Sequence, residues 1–187
     1  MKDLRFRPFL LALLLAAPLA TMTSCKNDDD EPQPEEDNEL ITTVRYTLTP
    51  ASGTGAPVTV EWKDADGDGG AAPVVGTLRL APNTTYNASI TLLDESKNPA
   101  ENITDEISKE KEDHLFVFTP VPAGLMTVTI TDKDAKNLNV GLTSRVQTTA
   151  AATGTLRVVL RHQPGIKTGD ANLGDTDVDA TFPVTVQ

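Results

Sequence analysis

The side chains best suited to binding chemistry are two histidines, His114 and His162, and the alternating acids of Asp64-Ala-Asp66-Gly67-Asp68-Gly69. His114 has the parity of Phe116 and Phe118, and His162 that of Leu156, Val158 and Leu160. Each therefore stands at a strand end, beneath the edge of a core rather than on an open face. Two imidazoles with Glu112 or a loop aspartate would make a three-ligand site for zinc, copper or iron. No His-x-His or His-x-x-x-His spacing supports this locally, and a histidine at a strand end also serves to cap a turn. In the acidic run, carboxylates at Asp64, Asp66 and Asp68 alternate so that they can converge on one hard cation such as Ca²⁺, while glycine allows the bend. The alternative is an acidic hairpin whose Asp-Gly pairs simply make the turn. Asp132-Lys133-Asp134 with Asn137 is a weaker echo, since Lys133 and Lys136 offset its charge. Asp170, Asp175, Asp177 and Asp179 add further oxygens. Catalysis has little support. There is no serine in a nucleophile elbow and no glycine-rich phosphate loop, and acids on solvated loops keep ordinary pKa values.

The elements that must hold these groups read mainly as strands. Period-two alternation runs through Val44, Tyr46 and Leu48, then Val58, Val60 and Trp62, then Ile90 and Leu92. It returns in Met126, Val128 and Ile130, in Leu156 to Leu160, and in Phe182, Val184 and Val186. Residues 74–80, 114–119 and 139–147 complete about nine short strands, bounded by Gly, Pro, Asn and Asp clusters. The expected fold class is all-β, an antiparallel β-sandwich over residues 40–187. Residues 101–113 are the one helical stretch, with Ile103 and Ile107 four apart as an apolar stripe. Strands joined by short loops alternate in direction, so the acid-poor loops gather at one pole. The loops at 64–70, 132–139 and 163–177, the helical insertion and both histidines gather at the other.

Three resemblances add to this reading. The acidic run resembles the start of an EF-hand loop, although its twelfth position is Val75 where that motif needs a bidentate glutamate. Leu80-Ala-Pro82-Asn-Thr84-Thr-Tyr86, followed by Ile90 and Leu92, resembles the tyrosine-capped corner of fibronectin type III domains, which implies an immunoglobulin-like sandwich. At the N-terminus, basic Lys2, Arg5 and Arg7 precede an apolar run from Phe9 to Ala20 that is too short to span a bilayer. Thr23-Ser24-Cys25 then resembles a bacterial lipobox. The resemblance implies cleavage of residues 1–24 and lipidation of Cys25, the chain's single cysteine. Asp28, Asp29, Asp30 and Glu31 directly afterwards resemble the surface-export signal of Bacteroidota lipoproteins, which would place the anchor in the outer leaflet of the outer membrane rather than facing the periplasm. Residues 25–39 are an acidic, apolar-poor tether.

Charge narrows the function classes. The chain has a formal charge of −11, and its leader carries three basic residues and one acid, so the mature chain is at −13. Such a chain repels phosphate, which excludes nucleic-acid partners. The expectation is a non-enzymatic, lipid-anchored binding module that captures Ca²⁺ or Zn²⁺ and partners an outer-membrane TonB-dependent receptor. The alternative is a structural or adhesive lipoprotein without a specific ligand.

Overall fold

A computed structural model describes residues 40–67 and 70–187. The leader, Cys25, the export acids Asp28 to Glu31, and Asp68 lie outside the described residues. In chain order the elements are β1 (Thr43–Pro50), β2 (Val58–Lys63), β3 (Val74–Val75), β4 (Leu78–Leu80), β5 (Thr85–Asp94), β6 (Glu101–Asn102), α1 (Ile103–Lys109), β7 (His114–Val121), β8 (Met126–Ile130), β9 (Thr143–Thr148), β10 (Ala152–His162) and β11 (Asp175–Val186). One sheet has the order β3-β2-β1-β5-β9-β8, with β6 on the end of β5; the other has the order β4-β11-β10-β7. The alternation read from sequence sets the inner faces. Val44, Tyr46, Leu48, Ile90 and Leu92 from one sheet share a core with Phe116, Leu156, Val158, Leu160 and Phe182 from the other.

Three expectations need correction. Among the described residues there are eleven strands rather than nine, because the segment at 74–80 splits in two and Glu101–Asn102 forms the additional short β6. Val74 and Val75 stay beside β2, whereas Leu78 to Leu80 cross to the other sheet. Gly76 permits the crossing. Its N–H reaches the Glu61 carbonyl at 2.9 Å, and a Cβ there would lie 2.9 Å from Val60 Cγ2. Second, the sheets are not wholly antiparallel, since β4 lies parallel to the last turns of β11. Third, the helix is shorter than 101–113: Glu101 and Asn102 pair with β5, and residues 110–113 form a turn. Ile103 and Ile107 are buried as the spacing requires, and Leu92 N–H donates to Thr104 Oγ1 at 2.8 Å, fixing the helix against β5.

The acid-poor pole is closed by neutral hydrogen bonds. Tyr86 is buried, and its hydroxyl accepts the Ala81 N–H at 2.9 Å. Thr148 Oγ1 accepts the Thr84 N–H at 2.9 Å and donates to the Ala81 carbonyl at 2.7 Å. The α1 connection returns to the pole it left, so β7 begins beside the end of β10. Both histidines therefore reach the acidic pole.

Candidate metal centre

Three neighbouring strands build the centre. His114 opens β7 and His162 closes β10, and the two are directly opposite in the ladder. Their rings stack with centroids 4.7 Å apart and planes within 4°. The third group comes from a break in register. Leu160 faces Val178 but Arg161 faces Thr176, which leaves Asp177 as an extra residue on β11. From Val178 onward the even-numbered residues of β11 face the core. Without the bulge, Asp177 would point outward with Asp179. The bulge resets the phase. Thr176 turns outward to meet the Arg161 guanidinium, and Asp177 turns toward the imidazoles. The turn leading into β11 is equally constrained. Gly174 has φ 73°, and a Cβ there would sit 1.9 Å from the His162 carbonyl oxygen.

The donor atoms of His114, His162 and Asp177 all lie within 4.8 Å of one another. His114 Nε2 is 3.8 Å from Asp177 Oδ2, and both side chains are almost fully buried, at 5% and 6% exposed. His114 Nδ1 is 2.9 Å from the Glu110 carbonyl oxygen. A carbonyl only accepts, so Nδ1 carries the proton and Nε2 is the ring nitrogen left to face Asp177. This is how metal-ligating histidines are oriented, through a hydrogen bond from the other ring nitrogen. Asp177 has two buried oxygens with no hydrogen-bond donor. Burial raises its carboxyl above the usual aspartate value, against the pull of His162 and His114, with Asp175 adding repulsion. A buried carboxylate without donors is stabilised by a cation. Zinc bonds of about 2.0–2.1 Å put tetrahedral neighbours roughly 3.4 Å apart, so the three donors need to draw in by about an ångström.

The other predicted ligands are placed elsewhere. Asp132 receives three backbone N–H groups, from Gly141 (3.0 Å) and Thr143 (3.2 Å) on Oδ1 and from Leu142 (3.1 Å) on Oδ2. It fastens the entry to β9 rather than joining the histidines. Asp134 is a buried ion-pair partner. Its Oδ2 lies 2.9 Å from Lys167 Nζ with both side chains inaccessible, and its Oδ1 accepts the Lys136 and Leu138 N–H groups. Oδ2 makes no aligned hydrogen bond, so the contact is one of charge. Burial alone would raise the Asp134 carboxyl, but Lys167 and the two N–H groups together hold it below 3.8. Lys167 also donates to the Lys111 carbonyl at 2.6 Å, joining the loop after β10 to the turn after α1. Glu112, the acid first considered beside the histidines, instead accepts the Ala135 N–H at 3.3 Å.

In the first acidic loop, Asp66 folds back on its own turn. Its Oδ2 accepts the Ala71 N–H at 2.9 Å, and its carboxylate occupies the space where a Cβ on residue 70 would stand. Asp64 is buried with Oδ1 unpartnered. Among the described residues these two acids do not form a three-ligand group.

Sequence reasoning brought the two histidines to a shared pole but did not single out Asp177. The alternating run Asp175-Thr-Asp177-Val-Asp179 was visible, but the bulge that selects one of these acids depends on pairing with β10. The chain matches no protein-family profile, no curated protein and no solved structure, so the geometry of the centre carries the functional reading.

Proposed function

We propose that this chain is a lipid-anchored module of the bacterial cell envelope whose β-sandwich captures a transition-metal cation, zinc foremost, through His114, His162 and Asp177. The observation that carries the reading is the convergence of two imidazoles, one with its Nε2 already oriented, on a buried carboxylate that has no hydrogen-bond donor. Two nitrogens and one carboxylate suit zinc better than calcium, which takes six to eight oxygens. The module is non-enzymatic in this reading, because burial of His114 and Asp177 leaves little room for a substrate beside the metal. The sandwich is of the immunoglobulin or fibronectin III type, a view supported by the Tyr86 hydroxyl capping Ala81 five residues upstream. Lipidation at Cys25 and the acids from Asp28 to Glu31 would display the module on the outer membrane, where a TonB-dependent receptor is the natural recipient of a captured cation.

One observation favours a second, structural reading for the remaining acids. Asp66, Asp132 and Asp134 are all engaged within the chain, as in a lipoprotein whose loops are braced without a ligand. Metal content and thermal unfolding of the purified protein, with chelator and then with Zn²⁺ or Ca²⁺, separate the two. Zinc at about a hundredfold excess over Kd should stabilise by about 2.7 kcal/mol, and His114→Ala should abolish the effect. If neither ion shifts the midpoint, the structural reading holds instead.

A further inference from the structure

The three-donor centre lacks one ligand of a tetrahedron, and the strand that supplies Asp177 carries a second acid on the same side. Asp175 is directly opposite His162 in the β10–β11 ladder. Residues so paired place their Cβ atoms about 4.5–5.5 Å apart on one face. Asp175 is also two residues before Asp177, upstream of the bulge, so both carboxylates share the face that carries the histidines. Thr176 between them is committed to the opposite face by Arg161. Access differs around the centre. The Glu110 carbonyl closes the side behind His114, and the core closes the floor. His162 is only part-buried and Asp175 is exposed, so solvent reaches the centre along the His162–Asp175 pair. Asp175 is near enough for its charge to act on Asp177.

We propose that Asp175 is the fourth ligand, a carboxylate that swings in from solvent to close a tetrahedral His₂Asp₂ zinc site. The inference rests on the metal-capture reading above. Charge supports it. Two neutral imidazoles and one carboxylate leave Zn²⁺ with a net single positive charge in a largely buried site, and a second carboxylate neutralises it. The ion in turn relieves repulsion between two acids that share one face. Because the fourth arm is exposed and the other three groups are buried or half-buried, Asp175 governs how readily the metal enters and leaves.

Zinc affinity measured by competition with a chromogenic chelator tests this on the full chain, unsubstituted and as Asp175→Asn and His114→Ala. Both are compared at low salt and at about 1 M, where the Debye length is about 3 Å. The expected result is one tight zinc in the unsubstituted protein, lost in His114→Ala. Asp175→Asn should still bind one zinc, weakened at least about tenfold, the scale at which even outer partners of metal ligands act. That weakening should persist at high salt, with the unfolding midpoint in chelator no lower than in the unsubstituted protein, since the substitution removes a repulsion from the metal-free site. Unaltered affinity in Asp175→Asn, or a loss that disappears at high salt, overturns the fourth-ligand assignment while leaving the three-donor site standing. Absence of zinc binding by the unsubstituted protein overturns both.

Discussion

The two poles of the sandwich are closed by the same strands but by different chemistry. At the acid-poor pole, Thr148 and Tyr86 tie two turns together through neutral hydrogen bonds, and each buried hydroxyl has its partner. At the acidic pole the turns are held by carboxylates, by Asp132 gathering three N–H groups and by Asp134 against Lys167. Among the described residues, the buried side-chain polar atoms without a hydrogen bond belong to Asp64, Asp134, Gln163 and Asp177, all at this second pole. A buried polar atom is normally satisfied. Most of the acids at this pole are accounted for as internal bracing, and Asp177 beside two imidazoles is the group whose environment asks for a cation. The count of acids at the pole is therefore a poor guide to the site, and the unmet demand of one of them is a good one.

Breaking the ion pair should have the largest effect. Lys167→Met leaves Asp134 buried without its counter-charge and should cost about 3–5 kcal/mol in urea unfolding, with Lys167→Met/Asp134→Leu less damaging than the single change. At the other pole, Thr148→Val strips a donor from the Ala81 carbonyl and an acceptor from the Thr84 N–H. A loss of about 1–3 kcal/mol is expected, the same with zinc or with chelator. A dependence on metal there would break the separation of the poles.

Acid and base should act on the two buried aspartates of the acidic pole with opposite sign. The Asp134 carboxyl is lowered on folding, so its contribution is present above the ordinary value of 3.8 and is lost as pH falls through its folded value. The Asp177 carboxyl is raised, so in chelator its protonated form favours the fold at low pH and that advantage fades as pH rises through its folded value. Asp177→Asn should consequently stabilise the metal-free protein at neutral pH while abolishing the gain from zinc, as thermal unfolding in chelator and in zinc would show. The smallest effect belongs to Asp66→Asn. Its carboxylate folds onto its own exposed turn, and neither the unfolding midpoint nor its response to calcium should change.

Much of the scaffold was legible because a period of two needs only the local sequence. Val44, Tyr46 and Leu48 face the core as their spacing requires, and so do Leu156, Val158 and Leu160. Short loops then suggested which strand ends share a pole, provided the helical connection returned to its own end, but not that His114 and His162 stand opposite each other in one ladder. The departures all arise where pairing overrides pattern. Gly76 lets one apolar segment serve two sheets because of its contact with Val60, and nothing in residues 74–80 alone announces that crossing. The bulge at Asp177 exists only relative to β10, so the sequence offered four aspartates in that region with no means of choosing. Lys167 was invisible as a partner of Asp134, since 33 positions separate two residues that meet only when both loops fold over the same pole.

The central claim is that zinc joins His114, His162 and Asp177. The chain has only two histidines, so ¹⁵N NMR of the imidazole nitrogens during a zinc titration reads the site directly. The account predicts that His114 begins with its proton on Nδ1. Nε2 of His114 and one ring nitrogen of His162 should then shift together and saturate at one equivalent, and Asp177→Asn should weaken or remove the response. Imidazole signals that stay unmoved through several equivalents of zinc, or that move identically in Asp177→Asn, would contradict it.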